Sequence, residues 1–157
     1  METVQTRAYA KINLGLRILR RREDGFHELR TLFQTISLAD TVRLSFGRGR
    51  GVRLEGVRAE PGVGWPAMAE ADNLAVRAAV LARQAWGVGG AIGVHLHKRI
   101  PLGAGLGGGS ADAAAALRYA GFTDVAAAAS LGADVPFCLR GGRAKVGGIG
   151  EELTALA

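Results

Sequence analysis

The chain has 157 residues, of which 48% are hydrophobic, a size and composition that fit one folded domain with a substantial core. No apolar run approaches the roughly 20 residues of a membrane span, and the N-terminus lacks the features of a signal peptide, so we expect a cytoplasmic protein without a membrane partner. The 20 basic and 14 acidic residues favour anionic partners. The single cysteine, Cys138, lies in an apolar run and is expected in the core.

The first predicted strand covers residues 8–19, where apolar and polar residues alternate. The apolar side of this strand, expected to be buried, consists of Ala10, Ile12, Leu14, Leu16 and Ile18. Lys11 and Asn13 stand on the opposite face, about 7 Å apart along the strand, so their side chains can act together. The alternative is that both are ordinary exposed residues.

A hairpin is predicted next, because Glu23-Asp24-Gly25 is a turn signal and Gly25 is free to take a positive φ. The return strand then begins at Phe26 and His27. An aromatic ring beside a histidine can stack on a nucleobase and hydrogen-bond its edge. The alternative places Phe26 in the core and His27 on the surface.

The middle of the chain predicts more strands and a helix. Asp40 is expected to turn the chain into a strand over residues 42–46, and a short strand follows, which indicates an antiparallel sheet. Residues 56–71 show no periodicity and are predicted to form a surface loop. Asp72 is the expected N-cap of a helix that Gly87 ends.

The next strand carries His95 and His97 on one face. Two such histidines are compatible with a metal site, but no third ligand is evident in the sequence. An exposed strand face is therefore favoured, and no metal ligand is assigned.

A glycine-rich segment at residues 101–112 follows this strand and leads into an alanine-rich helix predicted over residues 111–117, with Ser110 as its N-cap. Backbone N–H groups delivered to a helix N-terminus form a cradle for phosphate groups. A turn without a ligand is the simplest alternative. A Walker A loop is excluded because the glycines run directly into Ser110, without the Gly-Lys that precedes the Ser/Thr of that motif.

The dinucleotide motif G-x-G-x-x-G is matched in spacing by residues 103–108. That motif expects an acidic ribose ligand at the end of a second strand, about 20 residues further on. Asp124 lies instead in a short connection between helices, so this interpretation is weak.

Downstream, Gly121 is expected to end the alanine-rich helix, and Thr123 to cap a second, short one. In Asp134-Val135-Pro136 the proline is expected to stop any helix, while the aspartate begins an apolar run with little solvent around it. The alternative for Asp134 is a turn aspartate. Glycine turns precede two short segments at residues 144–146 and 152–156.

Four stretches of the chain form an ordered set. They are Ala10-Lys11-Ile12-Asn13-Leu14, Asp24-Gly25-Phe26-His27, residues 101–112, and Leu131-Gly132-Ala133-Asp134-Val135-Pro136-Phe137. In this order they resemble the GHMP kinase superfamily, with lesser matches at Asp72-Asn73-Leu74 and Gly148-Ile149-Gly150-Glu151. The resemblance spans nearly the whole chain. It implies an α+β fold like domain 2 of ribosomal protein S5, in which a mixed, mostly antiparallel sheet packs against helices.

Within that superfamily, the resemblance is to the members that use ATP and Mg²⁺ to phosphorylate 4-diphosphocytidyl-2-C-methyl-D-erythritol at its 2-hydroxyl, in non-mevalonate isoprenoid precursor synthesis. Asp134 matches the family's catalytic base, and Lys11 matches the catalytic lysine that steadies developing charge. By the same resemblance, Asn13 would hold the polyol. Phe26 and His27 would contact the cytosine.

The resemblance also implies an ATP-binding set. The cradle for the phosphates would consist of Pro101, Leu102, Gly103, Ala104, Gly105, Leu106, Gly107, Gly108, Gly109, Ser110 and Ala111. Asn73 and Lys98 would lie near the adenine.

The chain departs from the family pattern in places. Phe26 stands where the family usually has tyrosine, which should leave stacking intact, and Ala111 replaces a second serine near the phosphates. The segment between Ser110 and Asp134 is shorter than usual. Because the family continues into a C-terminal domain, residues 1–157 are expected to form the N-terminal, ATP-binding domain alone.

A non-catalytic nucleotide- or RNA-binding module with the S5-like fold is the alternative function, supported by the net charge of +6. It predicts strongly salt-dependent binding to RNA. Nucleic acid is the less expected partner, because the basic residues form no continuous stripe in the sequence and aromatic residues are few. The oligomeric state stays open at this point.

Overall fold

The computed structural model describes residues 2–87, 89–150 and 152–156. The strands are β1 (Glu2–Arg21), β2 (His27–Gly47), β3 (Gly51–Ala59), β4 (Ala91–Lys98), β5 (Arg143–Gly147) and β6 (Glu152–Leu156). The helices are α1 (Leu74–Trp86), α2 (Gly108–Tyr119), α3 (Val125–Ala129) and α4 (Val135–Arg140), and a 3₁₀ turn at Glu70–Asp72 precedes α1. Within the described ranges, no helix is long and apolar enough to cross a membrane.

Strand β2 organises the sheet, because its length allows it to pair with three other strands. β1 runs antiparallel to it along one edge, and the other edge pairs antiparallel with β4 and then β5. β3 joins β4 in parallel, and β6 joins β5 antiparallel. The predicted mixed, mostly antiparallel α+β fold is therefore confirmed. A sheet of this kind is not the parallel, doubly wound sheet that the dinucleotide interpretation requires.

The core lies between the sheet and the helices, and α2 is its most buried element. Residues 111–117 of α2 are all buried, and five of these seven are alanines. Phe137 of α4 meets Phe33 of β2 edge to face, with ring centroids 5.1 Å apart. Cys138 is buried beside them, as predicted, and burial raises the pKa of its thiol to about 12. This cysteine is therefore a core residue and not a nucleophile.

The expected burial of the whole apolar side of β1 is wrong. Ala10 is buried, but Leu14, Leu16 and Ile18 are 51%, 56% and 64% exposed. Beyond Lys11, the described part of β1 contains no buried residue. This part of the strand is a sheet edge that pairs with β2 alone, so alternation there does not lead to burial.

Two predictions about the middle of the chain are also corrected. Asp40 does not turn the chain, because β2 continues through it and its side chain is fully buried. β3 extends to Ala59, past the predicted start of the loop, since hydrogen bonding to β4 holds residues that have no clear periodicity.

The N-caps of α1 and α3 each differ from the predicted residue by one position. Asn73, and not Asp72, caps α1, because its side-chain oxygen accepts hydrogen bonds from two backbone N–H groups of the first turn. Asp124, and not Thr123, caps α3 in the same way. Gly87 ends α1 in a left-handed conformation, as predicted.

Pro136 does not stop a helix. It lies in the first turn of α4, where a residue without an N–H loses no intrahelical hydrogen bond. Asp134 consequently occupies the N-cap position of α4, at the edge of the core.

Candidate active site

A cavity of about 340 Å³ lies beside the glycine-rich loop. Residues 101–110 of the predicted cradle all line it, whereas Ala111 is buried behind it in α2. Lys11 of β1, Lys98 of β4 and Asp134 contribute to the same walls. Three distant parts of the sequence therefore meet at one cavity.

The shape of the loop depends on glycines in a left-handed conformation. Gly103, Gly105 and Gly107 have φ values of 69°, 73° and 70°, which other residues rarely adopt. A Cβ atom on Gly107 would also lie 3.2 Å from the Lys11 side chain. The backbone N–H of Lys11 donates to the carbonyl of Leu106 over 3.0 Å, which fixes β1 and the loop to each other.

Helix α2 begins inside this cavity wall, and the predicted N-cap at Ser110 is wrong. The helix starts at Gly108, with Gly107 in the N-cap position, and Ser110 lies in its first turn. Gly107 has no side chain with which to cap this N-terminus. The first-turn N–H groups and the positive end of the helix dipole therefore favour an anion in the cavity.

Lys11 and Asp134 form an ion pair at the cavity wall, with Nζ 3.1 Å from Oδ2. The Lys11 ammonium also donates to Asn13 Oδ1 over 2.9 Å and lies 4.5 Å from the centre of the Phe33 ring. The Lys11 side chain is 7% exposed and that of Asp134 is 30% exposed. The carboxylate is therefore the member of the pair that a substrate reaches more easily.

Lys11 turns inward because the sheet register is irregular beside it. The pairing of β1 with β2 shifts between Tyr9 and Lys11, and Ala10 and Lys11 are both buried, which strict alternation forbids. The predicted proximity of Lys11 and Asn13 is observed. The alternative, that Lys11 is an ordinary exposed residue, is wrong, because Lys11 is buried.

Lys98 lies at the floor of the cavity and is 2% exposed. Its ammonium forms ion pairs with Asp40 of β2 and Asp112 of α2. Asp40 also accepts hydrogen bonds from the backbone N–H groups of Arg99 and Ile100. This buried cluster of Lys98, Asp40 and Asp112 therefore ties together the two ends of the glycine-rich loop.

One cation stands between two carboxylates in the buried cluster. Burial raises the pKa of Asp112 to about 7, and the charge of Asp40 adds to this, although Lys98 opposes it. Burial alone would lower the pKa of Lys98, but the two carboxylates outweigh that effect and raise it. Asp112 Oδ1 finds no hydrogen-bond partner among the described residues. Asp112 is therefore the member of the cluster that takes up a proton near neutral pH.

Three of the predicted site residues lie apart from this cavity. Asn73 is buried as the N-cap of α1 and is not part of the cavity lining. Phe26 and His27 are exposed at the hairpin turn and do not line it either. The contacts implied for these residues with adenine and cytosine stay predictions.

The sequence analysis did not identify Asp40 and Asp112 as the partners of Lys98, nor Phe33 as a contact of Lys11. Asp112 follows the glycine segment directly, so an acid in the first turns of a helix was an available signal. Asp40 is 58 residues from Lys98, and Phe33 lies on a different strand from Lys11, so neither contact has a local signature.

The described residues contain no group of three or more His, Cys, Asp or Glu side chains that could hold a metal ion. His95 Nε2 lies 2.7 Å from a Glu55 oxygen, and His97 Nε2 lies 2.6 Å from a Glu60 oxygen. Each histidine thus pairs with its own carboxylate. A metal shared by the two histidines has no support from this arrangement.

Comparison with known proteins agrees with this fold. The family model of the GHMP kinases N terminal domain matches residues 73–142. A 4-diphosphocytidyl-2-C-methyl-D-erythritol kinase of Solibacter usitatus is 48% identical over 96% of this chain and 48% of its own length. A protein of the same name from Thermus thermophilus is 46% identical over 96% of this chain and 52% of its own length. A crystal structure of 4-(cytidine 5'-diphospho)-2C-methyl-D-erythritol kinase aligns with a TM-score of 0.78 and 44% identity, over 98% of this chain and 55% of that one.

The fold is that of a GHMP kinase N-terminal domain, the domain whose family model matches residues 73–142. The relatives that match nearly all of it carry the name of one particular member, 4-diphosphocytidyl-2-C-methyl-D-erythritol kinase. The chain spans about half the length of these relatives.

Proposed function

We propose that this chain is the ATP-binding and catalytic half of a kinase that phosphorylates the 2-hydroxyl of 4-diphosphocytidyl-2-C-methyl-D-erythritol. The names of the relatives support this substrate, and the four ordered motifs support the family. The observation that carries the proposal is the Lys11–Asp134 pair, 3.1 Å apart on the wall of the glycine-loop cavity. The reaction belongs to non-mevalonate isoprenoid precursor synthesis, and we place it in the cytoplasm.

The geometry supports a direct phosphoryl transfer. In this mechanism the loop N–H groups and the N-terminus of α2 hold the ATP phosphates. Asp134 accepts the proton of the substrate hydroxyl while the hydroxyl oxygen attacks the terminal phosphorus of ATP, and ADP leaves. Lys11 stabilises the negative charge that develops on the attacking oxygen.

Mg²⁺ would accompany ATP as part of the substrate. Because the described residues offer no cluster of three ligands, the phosphates themselves would supply most of the coordination. In such phosphoryl transfers, the ion neutralises charge on the β- and γ-phosphate oxygens.

The remaining predicted residues have supporting roles in this proposal. Asn13, which accepts a hydrogen bond from Lys11, would hold a polyol hydroxyl of the substrate. Phe26 and His27, exposed at the hairpin, are available to contact the cytosine. Asn73 would contribute to the adenine side of the site by capping the N-terminus of α1. Lys98 would contribute to the same side from beneath the glycine-rich loop.

Because the relatives are about twice as long, we expect the isolated chain to bind nucleotide weakly and to show little turnover. The test therefore uses a protein that joins this chain to the second half found in its relatives. Asp134→Asn and Lys11→Ala should each lower kcat at least 100-fold, with ATP binding largely retained. Asp124→Asn, which removes a carboxylate at the N-cap of α3, is the control and should leave kcat within about twofold. Undiminished turnover in either site variant contradicts the proposal.

A further inference from the structure

A second cavity, of about 510 Å³, lies on the sheet face opposite the core. Leu96 and Lys98 of β4 point into the core, so by strand alternation the neighbouring His95 and His97 point outward. The outer cavity shares none of its lining residues with the glycine-loop cavity. Its size falls within the range of small-molecule sites, roughly 300–1,000 Å³.

The sheet register gathers arginines around the two histidines. Arg43 on β2 lies directly opposite His95, and Arg58 on β3 lies directly opposite His97. Arg99 follows β4 and lines the same cavity. These arginines are scattered in the sequence, and only the pairing of three strands brings them together.

Arg99 is held in place by its neighbours. Its guanidinium donates to Thr41 Oγ over 3.1 Å and to His97 Nδ1, also over 3.1 Å. Because an arginine only donates, His97 Nδ1 must be the acceptor, and its Nε2–H then donates to Glu60. The carboxylate of Glu60 is therefore occupied by His97.

Arg43 and Arg58 keep their donors free. Within the described residues, neither guanidinium makes a side-chain hydrogen bond or ion pair. The nearby Glu55 is engaged by Ser45 and His95, at 3.0 Å and 2.7 Å, and Glu60 is engaged by His97. The three guanidinium groups around this cavity thus outnumber the two carboxylates beside it.

The chemistry of the lining selects the ligand. Arginine forks match the oxygens of a phosphate group, and two free forks beside a fixed third one can bind it from several sides. None of the described lining residues is Phe, Tyr or Trp, so the lining favours a phosphate group over a stacked nucleobase. We infer that this outer groove binds a small phosphate-bearing anion through Arg43, Arg58 and Arg99, at a site separate from the glycine loop.

Inorganic pyrophosphate titrated into the ¹⁵N-labelled chain tests this inference by NMR. We expect shifts at the side-chain Nε–H signals of Arg43 and Arg58 and at the backbone amides of residues 95–99. Arg43→Gln combined with Arg58→Gln should weaken binding at the groove at least tenfold. Arg77→Gln, which removes one positive charge from α1 on the other side of the sheet, should leave it unchanged.

Several outcomes would overturn the inference. One is that pyrophosphate shifts only amides of the glycine loop, and another is that Arg77→Gln weakens groove binding as much as the double variant. Arg43→Lys with Arg58→Lys keeps the charge and removes the forks, so full binding by that variant would contradict recognition by guanidinium. A third is that an RNA dodecamer binds through these arginines while pyrophosphate causes no shift. The ligand of the groove would then be a nucleic acid and not a small anion. Thermal melting of each variant verifies that it is folded.

Discussion

The two faces of β4 carry ionic clusters of similar composition and opposite character. On the inner face, Lys98 is sealed between Asp40 and Asp112 beneath the glycine loop. On the outer face, His97 and Arg99 form an open chain of contacts that ends at Glu60. The inner cluster positions backbone, whereas the outer cluster leaves arginine donors free for a ligand. The degree of burial, and not the residue type, decides whether a charged side chain holds the fold together or stays available to bind a ligand.

The largest expected difference between the two faces comes from neighbouring substitutions. Lys98→Met leaves two buried carboxylates without their cation and should lower the free energy of unfolding by about 3–5 kcal/mol. Arg99→Met removes an exposed cation next to it and should cost less than about 1 kcal/mol. Urea unfolding of both variants measures this contrast. Equal losses would mean that the two clusters are not energetically distinct.

The pH dependence of stability sharpens the contrast. The folded-state pKa of Asp112, raised to about 7, lies above its ordinary value of 3.8, so folding favours the protonated form. This contribution to stability is fully present below pH 3.8 and is lost as the pH rises through 7. In the Asp112→Asn variant this side chain cannot ionise. Between pH 5 and pH 8 its free energy of unfolding should therefore fall less than that of the parent chain. Urea unfolding at both pH values measures the difference, and identical pH dependence in the two proteins would contradict the assignment.

The glycine loop offers a smaller, more local test. Gly107→Ala combines an unfavourable φ of 70° with a 3.2 Å approach to Lys11, whereas Gly121→Ala has a φ of 61° and no atom within 4 Å. Both should lose about 1–2 kcal/mol from backbone strain. Only Gly107→Ala should also displace Lys11 and weaken ATP binding. Equal affinity for ATP in the two variants would show that Gly107 does not contribute to the nucleotide site.

The parts of the site with local signatures could be predicted from the sequence. The glycine spacing, the Lys11–Asn13 pair and the hairpin turn at Gly25 each depend on residues close together in the chain. The capping residue of α1 was missed by one position, because Asp72 and Asn73 are both good N-caps and only the 3₁₀ turn before the helix decides between them.

The long-range features could not be predicted in the same way. The inward turn of Lys11 depends on a register shift between two strands, and the Lys98–Asp40 contact joins residues 58 positions apart. The exposure of Leu16 depends on what covers the edge of the sheet, which alternation does not encode. The outer arginines converge only because three strands pair in one particular register.

In the proposed mechanism, the glycine loop and the Lys11–Asp134 pair form one nucleotide site. Titrating MgATP into the ¹⁵N-labelled chain and following the backbone amides tests it most directly. We expect the largest shifts on residues 103–110 and on Lys11, whose N–H donates to the loop. Shifts confined to other parts of the chain, or no shifts at millimolar MgATP, would contradict it.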